Sequence, residues 1–516
     1  MRDVIVIGAG LGGLACAVRL QAAGLRVCIV EGRETPGGRA GVFERDGYRF
    51  DTGPTLITAP SLLRELWACA GRSLEDDLTL VRLEPYYRIV FADGRWYDYW
   101  GDSERDEAEI ARFSERDVRR YRAFLAATEA IYRRAFLDLA GQPFDRFGDF
   151  LRILPQLVRL RAHESVYRFV SRYFTHPQLR MVFSFHPLFI GGNPLRASAI
   201  YSMIPYLERQ EGVFFALGGM GQVVGALADL FLALGGEILY GAPVERLLLS
   251  ARRVDGVRLA GGEEFRARAV VSNADVATTY LRLLPGEARA GLWRQWLRRA
   301  KYSMSCYLLY LGLHERHPLL RHHTIFMPSD YEAHIRELFD GDGTLSELAF
   351  YLHAPARTDP SFAPPGAESL YVLTPVPHLG KADGWTREKS SHFRERVLAT
   401  LSYLHGLQGI DREAVVLGER TPLDFAERLG AHLGAAFSLE PVLGQSAYFR
   451  PHNRGAVPGL YLVGAGTHPG AGIPGVLLSA RITSRLVLDD LAMSRKTVVA
   501  PVERLLAQPT SGRGRR

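Results

Sequence analysis

The chain has 516 residues, 47% of them hydrophobic and 23% charged, which is typical of a globular protein with a large core. This length favours two domains over one. The net charge is +7, but no zinc-finger spacing, basic zipper or aromatic RNA-binding motif accompanies it, so we expect no nucleic-acid partner. The four cysteines form no CxxC pair, which argues against a disulfide framework and a cysteine metal site.

The N-terminus begins with a strand–helix–strand pattern. Residues 3–8 are a predicted buried strand, residues 12–24 an amphipathic helix, and residues 26–31 a second strand. Such a βαβ unit implies a parallel sheet. No secretory signal is expected before the first strand.

A glycine-rich turn joins the first strand to the helix. In the sequence GAGLGG, Gly8 permits the tight turn, Gly10 lets a pyrophosphate approach the backbone, and Gly13 allows close packing of helix and strand. Glu31 ends the second strand, where an acid accepts hydrogen bonds from a ribose hydroxyl. The sequence therefore predicts a bound dinucleotide.

A second glycine-rich segment lies near the C-terminus, at residues 459–480. Its sequence, GLYLVGAGTHPGAGIPGVLLSA, predicts a strand, a glycine turn and a helix. The N-terminus of that helix has a partial positive charge, which would stabilise the negative charge that a reduced flavin gains. Residues at both ends of the chain therefore belong to one predicted nucleotide domain.

This segment closely resembles the C-terminal signature of the bacterial-type phytoene desaturases, a family of the amine-oxidase-like flavoproteins. The resemblance extends over nearly the whole chain and includes other blocks: FSFHPLFIGGNP (183–194), VSNADV (271–276), YLHAPARTD (351–359), VPHLG (376–380) and QSAYFRPHNR (445–454). It implies FAD as the cofactor. It also implies desaturation of phytoene, or of a closely related carotene, to a more conjugated product such as lycopene.

The resemblance also implies further contacts with FAD. Arg39, in the stretch GRETPGGRAG, is expected near the phosphates, and the FDTGPT segment beside the flavin ring. His468 has the best claim among the histidines to a place near that ring. The remaining expected cofactor contacts are Gly53, Val244, Gly466, Ile473 and Val476.

The fold class that we expect is α/β, or α+β overall. A Rossmann-like FAD-binding domain is interrupted by an inserted substrate domain, as in the amine oxidases and the GDP-dissociation inhibitors. The expected segments are 1–100, 212–280 and 440–495 for the FAD-binding domain, 101–211 for a helical, membrane-facing part of the substrate domain, 281–439 for its remainder, and 496–516 for a basic mobile tail.

Desaturation of a hydrocarbon needs a flavin face, an apolar tunnel and a proton acceptor. Asp149 and Arg152 are three residues apart on a predicted helix and share one face. The family has a similar pair, so they are the candidate catalytic residues, although a surface ion pair is an equally simple interpretation. No histidine has the spacing of a metal site, so we expect no metal.

The substrate would come from a membrane, because a tetraterpene hydrocarbon does not leave a bilayer unaided. The sequence contains no apolar run of about 18 residues, so we expect no transmembrane helix. Residues 151–174 are basic, amphipathic and aromatic, which is typical of an interfacial segment and equally of an ordinary helix with a solvated face. We expect peripheral binding to an anionic membrane surface, on the cytoplasmic side of the cell membrane, and an electron acceptor such as a quinone or oxygen.

Two alternatives stay open at this point. The first is an amine or porphyrinogen oxidase of the same fold. The second is a prenyl-lipid carrier without flavin, against which the intact glycine motif, Glu31 and Arg39 argue.

Overall fold

The computed structural model describes residues 2–288, 290–381 and 385–491. Two seven-stranded sheets organise this part of the chain. The strands are β1 (Arg2–Ile7), β2 (Val27–Val30), β3 (Val42–Arg45), β4 (Tyr48–Asp51), β5 (Leu80–Arg82), β6 (Tyr87–Val90), β7 (Trp96–Tyr99), β8 (Phe214–Ala216), β9 (Glu237–Leu239), β10 (Val244–Ser250), β11 (Arg253–Leu259), β12 (Glu264–Ser272), β13 (Ser305–Leu313), β14 (His323–Phe326), β15 (Phe350–His353), β16 (Glu368–Val376), β17 (Val415–Arg420) and β18 (Leu460–Leu462).

Helices cover both sheets. They are α1 (Leu11–Ala22), α2 (Pro60–Cys69), α3 (Ser103–Ala111), α4 (Glu115–Tyr132), α5 (Phe147–Arg159), α6 (Val166–Val170), α7 (Pro177–Ser184), α8 (Met203–Glu211), α9 (Gly219–Ala233), α10 (Val276–Thr278), α11 (Gly291–Arg299), α12 (Tyr331–Asp340), α13 (Arg387–Tyr403), α14 (Ile410–Glu413), α15 (Pro422–Glu427) and α16 (Ile473–Asp490). Within the described residues, none of the helices combines the length and the apolar character needed to cross a bilayer.

The first sheet confirms the predicted Rossmann-like arrangement. Its order is β10-β11-β12-β1-β2-β9, and β18 pairs with β12. The pairs of β1 with β2 and β12, of β2 with β9 and of β12 with β18 are parallel. Helix α1 packs against α9 and α16, and the apolar side chains Leu14 and Val18 on it are fully buried. Strands from three separate regions of the sequence therefore form one nucleotide-binding sheet.

The second sheet has the order β17-β13-β16-β15-β14-β6-β7 and is antiparallel except for the β14–β6 pair. All nine residues of β13 are buried, as expected for a central strand covered on both faces. Strands β6 and β7 lie within the predicted first segment, 1–100, but the structure places them in this second sheet. The predicted tail, 496–516, lies outside the described residues.

The segment 151–174 is not one continuous helix. Helix α5 ends at Arg159, and the short helix α6 begins at Val166. Phe147, Leu151, Leu154 and Val158 of α5 are exposed, and their spacing of three or four residues places them in one stripe along the helix. The membrane-facing interpretation of this region therefore concerns mainly α5.

Candidate functional site

A cavity of about 1030 Å³ is lined by residues from both sheets. Glycine-rich loops of the first sheet form part of its wall. Apolar side chains from the second sheet and the neighbouring helices form another part, among them Met304, Leu308, Ile325, Leu338, Tyr371 and Leu373. The cavity thus joins a polar, backbone-lined region to a large apolar one.

The first glycine loop has the geometry of a phosphate site. Gly8 has a positive φ of +92°, and a Cβ on Gly10 would lie 2.8 Å from Asn273 Oδ1. A Cβ on Gly13 would overlap the Gly8 carbonyl oxygen, so Gly13 permits the close packing that the sequence predicted. Helix α1 begins at Leu11 without a side-chain cap, which leaves its first N–H groups free for an anion.

Glu31 is buried at the end of β2 and lines the cavity. Its Oε2 accepts a hydrogen bond from the Ala9 N–H at 2.6 Å, and its Oε1 accepts one from the Arg33 N–H at 3.0 Å. These bonds fix the carboxylate beside the glycine loop. Because a carboxylate has about four acceptor positions, Glu31 can also accept from a ribose hydroxyl.

Arg39 and Gly53 line the same cavity. The Arg39 guanidinium lies 3.4 Å from Asp275 Oδ2 and is only partly exposed. A Cβ on Gly53 would overlap the Arg39 carbonyl oxygen, so the backbone of the FDTGPT segment lies directly against the loop that carries Arg39. The structure therefore brings together two segments that the resemblance assigned to the cofactor.

The C-terminal segment contributes a second helix N-terminus. Helix α16 begins at Ile473, after Gly472 with φ of +88° and without a side-chain cap. Gly466, Ile473 and Val476 line the cavity, as does Val244 from the first sheet. A Cβ on Gly466 would lie 2.7 Å from Val276 Cγ1. Glycine-lined backbone and two uncapped helix N-termini fit the flat ring and the phosphates of FAD.

His468 does not line this cavity, contrary to its predicted place near the ring. Its side chain is buried, its Nε2 lies 3.0 Å from the Gln142 carbonyl oxygen, and its ring contacts Phe144 at 5.2 Å. Burial lowers the pKa of His468 to about 3. His468 therefore anchors the C-terminal segment to residues 142–144 as a neutral ring.

Asp149 and Arg152 also lie away from the cavity lining. They form an i,i+3 ion pair of 3.1 Å on α5, with 38% and 83% of the respective side chains exposed. Ile153 is the buried residue of α5, whereas both members of the pair lie at positions that solvent reaches. The structure supports a surface ion pair and does not bring the predicted catalytic residues to the site.

Two functional candidates were not identified from the sequence. Asn273 donates from Nδ2 to the Val463 carbonyl oxygen at 3.1 Å, and its N–H donates to the Ile7 carbonyl oxygen at 2.9 Å. It thereby ties together the ends of three parallel strands beside the glycine loop. Its place directly after β12, in the block VSNADV, is the signal that points to it. The other candidate is Glu208, which lines the apolar part of the cavity and is fully buried.

Three buried histidines outside the cavity lining form a cluster, although no metal site was expected. The possible ligand atoms of His322, His323 and His353 lie within 4.8 Å of one another. Nε2 of His322 and Nε2 of His353 are 3.1 Å apart, and the Tyr351 hydroxyl lies 2.7 Å from His323 Nδ1. Burial lowers the pKa of His322 to about 3. His322 and His353 are hydrogen-bonded to each other, and burial also lowers the pKa of His323 and of His353, so the three rings are neutral.

The sequence is similar to characterised desaturases over nearly its full length. It is 48% identical to the phytoene desaturase (lycopene-forming) of Pseudescherichia vulneris, covering 95% of this chain and 100% of the relative. It is 40% identical to the phytoene desaturase (neurosporene-forming) of Rhodobacter capsulatus, with 95% and 94% covered.

Solved structures show the same fold at low sequence identity. Putrescine oxidase bound to putrescine is 18% identical, with a TM-score of 0.60 over 95% of this chain and 99% of that one. Cyclohexylamine oxidase from Brevibacterium oxydans is 16% identical, with a TM-score of 0.58 over 95% and 99%. The family model described as flavin containing amine oxidoreductase matches residues 11–488. With its dinucleotide loop, its second helix N-terminus and this match, the chain belongs to the flavin-containing amine oxidoreductase family, and its cofactor is FAD.

Proposed function

We propose that this protein is an FAD-dependent desaturase of phytoene, or of a closely related carotene, that forms a more conjugated carotene such as lycopene. The observation that carries the proposal is the cavity, in which the cofactor loops open directly onto a wall of apolar side chains. A long hydrocarbon fits such a wall, whereas a charged polyamine would lose its hydration there. The relatives of 40–48% identity have this activity.

The chain's own residues would bind and orient the reactants. We propose that the N-terminus of α1 holds the pyrophosphate, with Gly8 and Gly10 close to it, and that Glu31 accepts from the ribose. The N-terminus of α16 would face the electron-rich edge of the ring. Bound FAD supplies a hydride acceptor, and a quinone or oxygen would then remove the electrons. The apolar wall excludes water from the allylic carbon.

We propose further that α5 docks on a membrane surface. Its exposed stripe of Phe147, Leu151, Leu154 and Val158 would enter the interface, and exposed Arg152 and Arg159 would meet anionic headgroups. The helix also adjoins the region next to the cavity. The ring centroids of Phe147 and Tyr448 are 5.4 Å apart. Two residues before Tyr448, the Ser446 hydroxyl lies 3.3 Å from the hydroxyl of Tyr201, which lines the cavity.

The proposed activity is tested with purified protein loaded with FAD and mixed with liposomes that contain phytoene. We expect coloured products with longer conjugated systems, identified by chromatography and absorption. The control is the same protein with putrescine in place of phytoene, from which we expect no flavin reduction. Flavin reduction by the amine, with none by phytoene, would refute the proposal and favour an amine oxidase.

A further inference from the structure

Glu208 is an unusual residue in the wall of the cavity. It lies on α8, none of its surface is exposed to solvent, and it lines the apolar part of the cavity. Neither of its carboxylate oxygens has a hydrogen bond of ordinary geometry with another side chain or with the backbone. The His186 ring lies beside it, with Nε2 3.4 Å from Glu208 Oε2.

Burying a carboxyl group without hydrogen bonds destabilises a folded protein, and buried polar groups are usually satisfied. Two other acids that contact the interior are better satisfied. Half-buried Glu211, one turn further along α8, accepts a hydrogen bond from the Ser61 N–H at 3.2 Å through Oε2, although its Oε1 has no partner, and Glu31 accepts two. A costly, unsatisfied acid that faces a cavity is a candidate for chemistry.

Aromatic rings surround Glu208 and His186, and the phenols among them are poor proton acceptors. The His186 ring contacts Phe185 at 4.3 Å, Tyr99 at 5.8 Å and Tyr87 at 6.4 Å between centroids. Burial, and secondly the neighbouring Glu208 carboxylate, raise the pKa of Tyr87 and of Tyr99 well above the ordinary value. These phenols therefore stay protonated and cannot take up a proton.

We propose that Glu208 is the proton acceptor of the desaturation, with His186 as the residue that positions it. This inference rests on the proposed function. A hydride leaves one allylic carbon with two electrons, which bound FAD takes up. The C–H bond on the adjacent carbon then breaks, its electron pair becomes the new double bond, and its proton passes to a Glu208 carboxylate oxygen. One carbon–carbon double bond is formed, and both hydrogens are accounted for.

The position of Glu208 distinguishes it from Asp149, the acid that the sequence suggested, and from the cluster of three histidines. Asp149 lies on an exposed helix, outside the cavity lining. His322, His323 and His353 are buried but do not line the cavity. Glu208 is a carboxyl group in the wall against which an apolar substrate would lie.

The test compares Glu208→Gln with Glu211→Gln in protein loaded with FAD. Both changes remove a carboxylate from α8, but Glu211 does not line the cavity. Phytoene in liposomes is added without oxygen, and the loss of flavin absorbance is followed. We expect wild type and Glu211→Gln to react alike, and Glu208→Gln to react at least about 100-fold more slowly, the scale of a lost general base. Dithionite should reduce the flavin of all three proteins equally.

An infrared difference spectrum gives a readout that a structural role would not produce. When phytoene reduces the wild-type flavin, a protonated carboxylic acid should appear, with a C=O band that shifts in D₂O. The band should be missing in Glu208→Gln and retained in His186→Gln, which should lose rate less severely.

Two results would overturn the inference: a Glu208→Gln protein that phytoene reduces at the wild-type rate, or a wild-type spectrum without the acid band. If the Glu208→Gln protein does not bind FAD, the wild-type infrared spectrum tests the inference. The spectrum of Glu208→Asp then provides a second test, because its carboxylic acid band should appear at a shifted frequency. A wild-type flavin that phytoene does not reduce would refute the proposed function instead.

Discussion

Glu31 shows how one side chain can organise a cofactor loop before the cofactor binds. Its two oxygens hold the N–H groups of Ala9 and Arg33, on opposite sides of the carboxylate. The same carboxylate borders the cavity and is available to a ribose hydroxyl. Loss of its charge should therefore weaken both the preformed loop and the direct contact.

We expect Glu31→Gln to weaken FAD binding by roughly 1.5–3 kcal/mol, the usual contribution of a hydrogen bond to a charged group, or about 10- to 150-fold in Kd. The measurement is a titration of apoprotein with FAD, followed by flavin fluorescence. Glu34→Gln is the matched control, because Glu34 is exposed in the following loop and does not line the cavity. Equal affinities for both variants would mean that the ribose is held elsewhere.

The predicted glycines that the structure places in the loop beside the cavity are those whose position depends on local backbone geometry. Gly8, Gly10 and Gly13 occupy a strand–turn–helix whose shape follows from neighbouring residues. Glu208 could not be found in this way, because a glutamate on a helix has no local signal for facing a cavity. The place of Asp149 was misjudged for the same reason: helical spacing gives its neighbours on α5 but not the surface that α5 presents.

The exposed surface of helix α5 distinguishes a membrane-binding segment from an ordinary helix with a solvated basic face. Of the basic residues around it, Arg161 and Arg172 form ion pairs with Glu164, so their charges are partly compensated within the protein. The four side chains of the apolar stripe remain 40–57% exposed, although Phe147 also packs against Tyr448. Apolar insertion should therefore contribute more to membrane binding than the paired arginines do.

We expect Leu151→Asp combined with Val158→Asp to reduce binding to anionic liposomes by about 10-fold or more, because two apolar side chains would no longer enter the interface. Binding is measured by co-sedimentation with liposomes. The control is Gln156→Asp, which adds a negative charge to an exposed position of α5 outside the stripe. FAD content should be unchanged in all variants. Membrane binding that survives the double substitution would exclude α5 as the docking helix.

At the scale of the whole molecule, the stability of the fold should depend on pH through a buried acid. Asp106 on α3 is fully buried and accepts hydrogen bonds from the Trp100 N–H at 3.0 Å and the Tyr121 hydroxyl at 3.0 Å. Burial raises the pKa of Asp106 from 3.8 to about 7. Between these values the folded protein holds a proton that the unfolded chain has released, so stability should fall as the pH rises.

Asp106→Asn should remove this contribution, because its amide oxygen can accept from the Trp100 N–H and its amide nitrogen can donate to the Tyr121 hydroxyl, with no group that titrates. We expect the melting temperature of the variant, relative to wild type, to increase as the pH rises from about 4 to about 7. Thermal unfolding at a series of pH values measures it, with Glu104→Gln, an exposed acid on the same helix, as the control. A difference between Asp106→Asn and wild type that does not change with pH would contradict the expectation.

The sequence predicted the strands of the first sheet better than it predicted which strands belong to the second sheet. The unit β1–α1–β2 follows from periodicity over some 30 residues, and β18–α16 from its glycines. Strands β6 and β7 follow the nucleotide motif closely in sequence, but β6 pairs in parallel with β14, more than 200 residues later. Such a pairing has no local signal in the sequence, because it depends on which distant strand pairs with the edge of β6.

The parallel pair of β12 and β18 has a consequence for synthesis. The strand beside β12, and the helix that completes the cofactor cavity, come from residues after 459, about 450 residues later in the chain than Gly8. At about 5–20 residues per second, roughly 25–90 s separate the two on the ribosome. During that interval the nascent chain carries a glycine loop without its second wall. FAD loading must therefore wait until α16 has been translated, and a chain that stalls before Ile473 should emerge colourless.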